Sequence, residues 1–167
     1  MIKINRNRYI KTIDFFKNNS TYFFVLKILY KWLPVVTFVA YPILLIYAWF
    51  WQNESFFKVL IVPASVFVFV SILRKLINEK RPYETYGVDS LFGKTTKGQS
   101  MPSRHTASAF IIAMSFLYVN FDIGITFLIV ATMIMISRIL AGVHYVRDVL
   151  VGAGISVLCG LIFFFLI

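Results

Sequence analysis

The chain has 167 residues, 59% of them hydrophobic and only 14% charged, and its apolar residues fall in long uninterrupted runs. That pattern excludes an ordinary soluble domain and indicates an integral membrane protein. The net charge of +10 is not arranged as a solvated stripe with interleaved aromatics, so membrane-surface and phosphate contacts account for it better than nucleic acid does.

Residues 1–31 contain Lys3, Arg6, Arg8, Lys11, Asp14, Lys17, Lys27 and Lys31, which leave no apolar core for a signal peptide or a clean span. They are expected to form a basic amphipathic segment at the membrane interface, with a sixth span as the alternative. Residues 32–167 are expected to form one transmembrane domain. Within it, runs 33–51, 56–73 and 149–167 approach the roughly 20 residues that a span needs, and runs 106–120 and 123–136 are somewhat short. The expected fold is therefore an all-α membrane bundle of about five spans. The short helices can begin or end in polar clusters that the protein itself buries. Tyr47, Trp49, Phe50 and Trp51 bunch at one span end, as interfacial aromatics do. The single cysteine, Cys159, excludes an intrachain disulfide and a cysteine-based metal site.

Three polar clusters interrupt the runs: Arg74 to Arg81-Pro82, Pro102-Ser103-Arg104-His105, and Ser137-Arg138 with His144 and Asp148. Ionisable groups at such depth are costly and point to function. Short turns at 52–55 and 120–122 fall on the opposite face, so all three clusters are expected to meet at one end of the bundle. His144 and Asp148 are spaced i, i+4, which aligns them if the helix already includes His144, and a carboxylate there would fix the imidazole tautomer and raise its basicity. Arg81, Arg104 and Arg138 offer planar forks suited to phosphate oxygens, and Ser103 with the following helix start adds donors. His105 can protonate a leaving alkoxide and then activate water, so the two histidines cover both halves of a covalent phosphoryl transfer. No metal and no cofactor is required. Glu79, Glu84 and Asp89 lack a paired-ligand arrangement, and Gly93-Lys94-Thr95 is not a P-loop, because Val88 occupies the position of its first glycine. Lys75, Lys80, Lys94 and Lys97 are read as a basic loop near headgroups, with one of them guiding an anionic substrate as the alternative, Tyr83 and Tyr86 as interfacial anchors, and Arg147 as snorkelling rather than contacting substrate.

These residues resemble the type 2 phosphatidic acid phosphatase (lipid phosphate phosphatase) superfamily, which shares its site with vanadium haloperoxidases. The family signature is Lys, six residues, Arg-Pro; then Pro-Ser-Gly-His; then Ser-Arg, five residues, His, three residues, Asp. The third part matches in full at Ser137, Arg138, His144 and Asp148. The resemblance implies that His144 attacks phosphorus to give a phosphohistidine, that Asp148 supports it, and that His105 is the acid that releases the alcohol. Arg81, Ser103 and Arg138 would hold the phosphate. Arg104 stands where the family has glycine, which implies an added cationic contact or a loop anchor. Arg74 stands in for the family lysine, since Lys75 would shorten the gap by one.

The implied activity is metal-independent hydrolysis of an amphiphilic phosphate at the membrane of a bacterial cell. Phosphatidate, phosphatidylglycerophosphate and a polyprenyl diphosphate are the implied substrates. A degenerate member acting as a lipid-binding or lipid-transport module is the alternative, against which the intact His105, His144 and Asp148 argue. The face of the site stays open: the positive-inside rule favours the cytoplasm, since only Lys58 lies on the other side, whereas bacterial relatives often work on the outer face.

Overall fold

A computed structural model describes residues 5–167, so Lys3 of the basic N-terminal segment lies outside the described residues. The first helix, α1 (Arg6–Asn18), is capped by Asn5, whose side chain accepts from the Asn7 amide. The chain breaks at Asn19, and α2 (Ser20–Trp51) then runs without interruption through residue 31. The division at 31–32 thus does not coincide with an element boundary. Lys27 and Lys31 interrupt the hydropathy of the sequence but lie on the exposed side of α2, where they do not disturb its packing.

A one-residue turn at Gln52 leads into α3 (Asn53–Ile77). α2 and α3 contain Pro34, Pro42 and Pro63 and remain continuous, as neighbouring helices permit in a membrane bundle. After the short α4 (Pro82–Tyr86) comes a helix-free loop, then α5 (Arg104–Val119), α6 (Phe121–Leu140) and α7 (Val146–Gly160). The last helix widens into a π-helical stretch at Leu161–Leu166. No strand occurs among the described residues.

Four of these helices are long and apolar enough to cross a membrane: α2, α3, α6 and α7 with its π-helical extension. The fifth expected span is α5, which at 16 residues is the shortest, and it forms the axis of the bundle. It packs against α2, α3, α6 and α7, and every residue from Thr106 to Phe116 is buried. The outer helices instead turn Phe38, Val39, Phe50, Trp51, Phe69 and Leu150 outward, as lipid-facing surfaces do. α5 and α6 form a tight hairpin because Gly124 lies against the Leu117 backbone, where a Cβ would come within 2.2 Å of Leu117 Cα. Asn120 closes the turn, its side chain accepting from the Ile123 amide.

α1 lies across the loops at one end of the bundle. The Tyr9 hydroxyl donates to the Gly142 carbonyl at 3.2 Å, and the Arg6 Nε donates to the Tyr86 carbonyl at 3.3 Å. Tyr9 and Ile13 are buried there with Leu26, Tyr83, Leu91 and Val143. That end is also where α3 and α6 finish and where α5 and α7 begin.

Candidate active site

The three polar clusters meet at this end around a cavity of about 130 Å³ lined by Tyr30, Arg74, Arg81, Lys94, Thr96, Gln99, Arg104, His105, Arg138, Val143 and His144. Arg74 and Arg138 sit in the last turns of α3 and α6, where the negative end of the helix dipole favours a cation. The start of α5 faces the same space with its positive end.

His144 is not on α7. The helix begins at Val146 with Tyr145 as N-cap, so the i, i+4 alignment of His144 with Asp148 has another origin. Asp148 is the N3 residue and reaches back, its Oδ2 accepting from the Tyr145 amide at 3.0 Å. The same oxygen accepts from the Ser100 hydroxyl at 2.5 Å and lies 3.7 Å from His144 Nδ1. Ser100 Oγ is also 3.4 Å from His144 Nδ1, so it bridges the imidazole and the carboxylate. Asp148 is fully buried and His144 is 3% exposed. Burial pushes the His144 imidazole down to about 4, with Asp148 opposing that shift and Arg81 reinforcing it. His144 is therefore neutral across the physiological range, the form that keeps a lone pair.

The inner arginines are held by backbone carbonyls. Arg81 donates from Nε to the Gly98 carbonyl at 3.0 Å and from its terminal nitrogens toward Val143 and Gln99. Arg74 donates to the Gln99 carbonyl at 2.5 Å. Arg138 donates to the Tyr30 carbonyl at 2.9 Å and lies over the Tyr30 ring at 4.1 Å. Its buried Nε has no hydrogen-bond partner among the described residues. Arg74 is buried and lines the cavity, whereas Lys75 is exposed and outside it.

Ser103 is fully buried behind the cavity wall. It accepts from the Thr106 hydroxyl at 3.0 Å, and its amide donates to the Asp148 carbonyl at 2.9 Å, tying the start of α5 to α7. Arg104 is exposed at the cavity mouth, over the Phe67 ring at 5.4 Å. Two of the loop carboxylates are structural: Glu84 Oε1 accepts from the amides of Arg81 and Gly98, and Glu79 pairs with Arg147 at 2.5 Å. Among the described residues, no three His, Cys, Asp or Glu side chains converge as a metal site.

A family model of the PAP2 superfamily matches residues 55–167, which include every residue lining the cavity except Tyr30. The chain belongs to that superfamily. This PAP2 chain is 29% identical, over 130 residues, to the undecaprenyl-diphosphatase BcrC of Bacillus subtilis (strain 168), a match covering 75% of this chain and 67% of the relative. It is also similar to the crystal structure of Aquifex aeolicus LpxE, with a TM-score of 0.70 and 29% identity across 83% of this chain and 84% of that one.

Some residues lining or bracing this cavity are not evident from sequence. Ser100, Gln99 and Thr96 lie in a loop with no periodicity, and Tyr30 is 108 positions from the arginine it contacts. A polar residue two before the Pro-Ser-Arg-His cluster is the only local signal for Ser100. Of the loop lysines, Lys94 lines the cavity rather than facing headgroups alone. Tyr83 is not an interfacial anchor but buried, its hydroxyl donating to the Thr96 carbonyl. Tyr86 packs on Tyr9, and Arg147 pairs with Glu79 rather than snorkelling.

Proposed function

We propose that this multi-pass membrane protein is a phosphatase that removes a phosphoryl group from a lipid phosphate or a polyprenyl diphosphate through a phosphohistidine. The observation that carries this reading is the convergence of two histidines and four arginines on one small cavity with no carboxylate lining it among the described residues. With Nδ1 turned to Ser100 and Asp148, His144 has Nε2 free to attack phosphorus. The bond from phosphorus to the leaving oxygen breaks as that to Nε2 forms, and His105 supplies the proton to the departing oxygen. Neutral His105 then takes a proton from water, which attacks phosphorus, breaks the P–N bond and releases orthophosphate.

Arg74, Arg81 and Arg138 surround the equatorial oxygens and stabilise the charge that a metal ion would otherwise offset. The unpartnered Nε of Arg138 is a donor left for such an oxygen. Ser103 supports the start of α5, and Arg104 adds a cation at the rim. The name of the Bacillus relative favours the polyprenyl diphosphate arm and a bacterial cell membrane. The test is acid-labile labelling of the protein during turnover of a terminally labelled prenyl diphosphate. The wild type should trap label that His144→Ala does not, and His144→Ala should lose turnover. Substantial activity in His144→Ala would overturn the covalent route.

A further inference from the structure

We propose that Arg104 and Lys94 form an outer anion subsite at the cavity mouth that takes the second phosphate of a lipid diphosphate, behind the phosphoryl group being transferred. The proposal rests on the phosphatase reading for what the inner cavity does. The cations around the cavity lie in two tiers. Arg74, Arg81 and Arg138 are 6%, 4% and 4% exposed, and backbone carbonyls fix each of them in place. Lys94 and Arg104 line the same cavity but are exposed, and neither makes a side-chain hydrogen bond or ion pair among the described residues. Among the described residues, the Arg104 side chain is held only by the Phe67 ring. A planar fork so placed is positioned without its donors being used.

Charge supports the same assignment. Among the described residues no carboxylate lines the cavity to offset five cations, and partial desolvation of the otherwise exposed Lys94, together with the guanidiniums of Arg81, Arg138, Arg104 and Arg74, lowers its ammonium below the ordinary range. A diphosphate monoester carries one more negative charge than a monophosphate ester and spreads it over both tiers. The order of the parts fits as well. Phe67 also walls an apolar groove of about 360 Å³ between α2 and α3, whose floor is Ser108, Ile111 and Ile112 of α5. Arg104 begins the helix that carries Ser108 one turn on, so it stands between the inner cavity and the groove. Transferred phosphoryl, second phosphate and hydrocarbon chain meet His144, Arg104 and the groove in that sequence.

Titration calorimetry of the purified full chain in detergent, with inorganic pyrophosphate and with orthophosphate, tests the subsite without turnover. Wild type should bind pyrophosphate about tenfold or more tightly than orthophosphate, the worth of one charge-assisted contact. Arg104→Gln and Lys94→Gln should each lower that ratio several-fold, and Arg104→Lys should restore part of it. In turnover, the selectivity for a prenyl diphosphate over the monophosphate of the same chain should fall by a similar factor. Equal losses for both anions, or a ratio unchanged in both Gln variants, would overturn the subsite. If wild type hydrolyses neither lipid, the phosphatase reading fails, and the calorimetric ratios still decide the subsite.

Discussion

Gly152→Ala should disable the site while adding a single methyl group at a residue that does not line the cavity. Gly152 is on α7, one turn after Asp148, where α7 crosses the start of α5. A Cβ built there comes within 2.7 Å of the Ser103 carbonyl oxygen, 3.4 Å of the Ser103 amide nitrogen and 3.5 Å of the Ala107 nitrogen. All three are backbone atoms, so no side chain can swing away and the two helices must part by about 0.7 Å to regain ordinary contact. The separation acts on the Ser103 amide bond to the Asp148 carbonyl at 2.9 Å and moves His105 away from His144. Misplacement by about 1 Å can cost roughly 100-fold in rate, so a loss of about 10- to 100-fold in kcat is expected, with overpacking costing about 1–3 kcal/mol of stability. Gly154→Ala on the same helix is the control, because nothing lies within 4 Å of its Cβ position. Phosphate release from a prenyl diphosphate, measured beside thermal unfolding in the same detergent, reads both effects. Wild-type kcat in Gly152→Ala, or an equal loss in Gly154→Ala, would refute the account of how α5 and α7 align the histidines.

Ser100→Ala should lower kcat by about tenfold with little change in KM, since it removes a hydrogen bond to a buried carboxylate and the bridge to His144; a change in KM alone would count against it. Arg74→Ala should cost roughly 100- to 1000-fold, Arg74→Lys much less and Lys75→Ala little, as steady-state kinetics will read; a crippled Lys75→Ala beside a normal Arg74→Ala would shift the register of the first cluster by one residue. Because the folded His144 value lies near 4, below its unfolded value, the native state binds fewer protons in that interval. Stability contributed by His144 is thus present above about 6.5 and lost as pH falls toward 4, a loss that should be absent from the unfolding of His144→Ala, and the acid limb of wild-type kcat should fall below 6.5. An acid limb at or above 6.5 in wild type would contradict the burial argument.

The bundle was legible because bilayer-length apolar runs leave few alternatives, and the turns at Gln52 and Asn120 are short enough to fix which helix ends share a face. His105, Arg138 and His144 stood out because ionisable groups are rare among such runs. What the sequence obscured is contact made through the backbone. Arg81, Arg74 and Arg138 are oriented by the carbonyls of Gly98, Gln99 and Tyr30, which any side chain could accompany. Asp148 reaches His144 through a capping turn and Ser100, not through a shared helix face, and helical spacing cannot distinguish the two. The hydropathy of α2 was masked by Lys27 and Lys31, since composition does not reveal which side of a helix a charge occupies.

The shortness of α5 has a consequence for how a lipid reaches the chemistry. Sixteen residues at about 1.5 Å each span roughly 24 Å, short of the about 30 Å of a typical hydrocarbon core. The helices packed around it are long enough to cross, so α5 falls short of that thickness by about one helical turn. On the phosphatase reading, a shortfall at the His105 end would let a headgroup reach the cavity while its chain stays among the other lipids. On the same reading, orthophosphate would leave into solvent and the lipid product into the bilayer. Thickening the bilayer would widen the shortfall, which makes membrane thickness a physical variable that turnover should track.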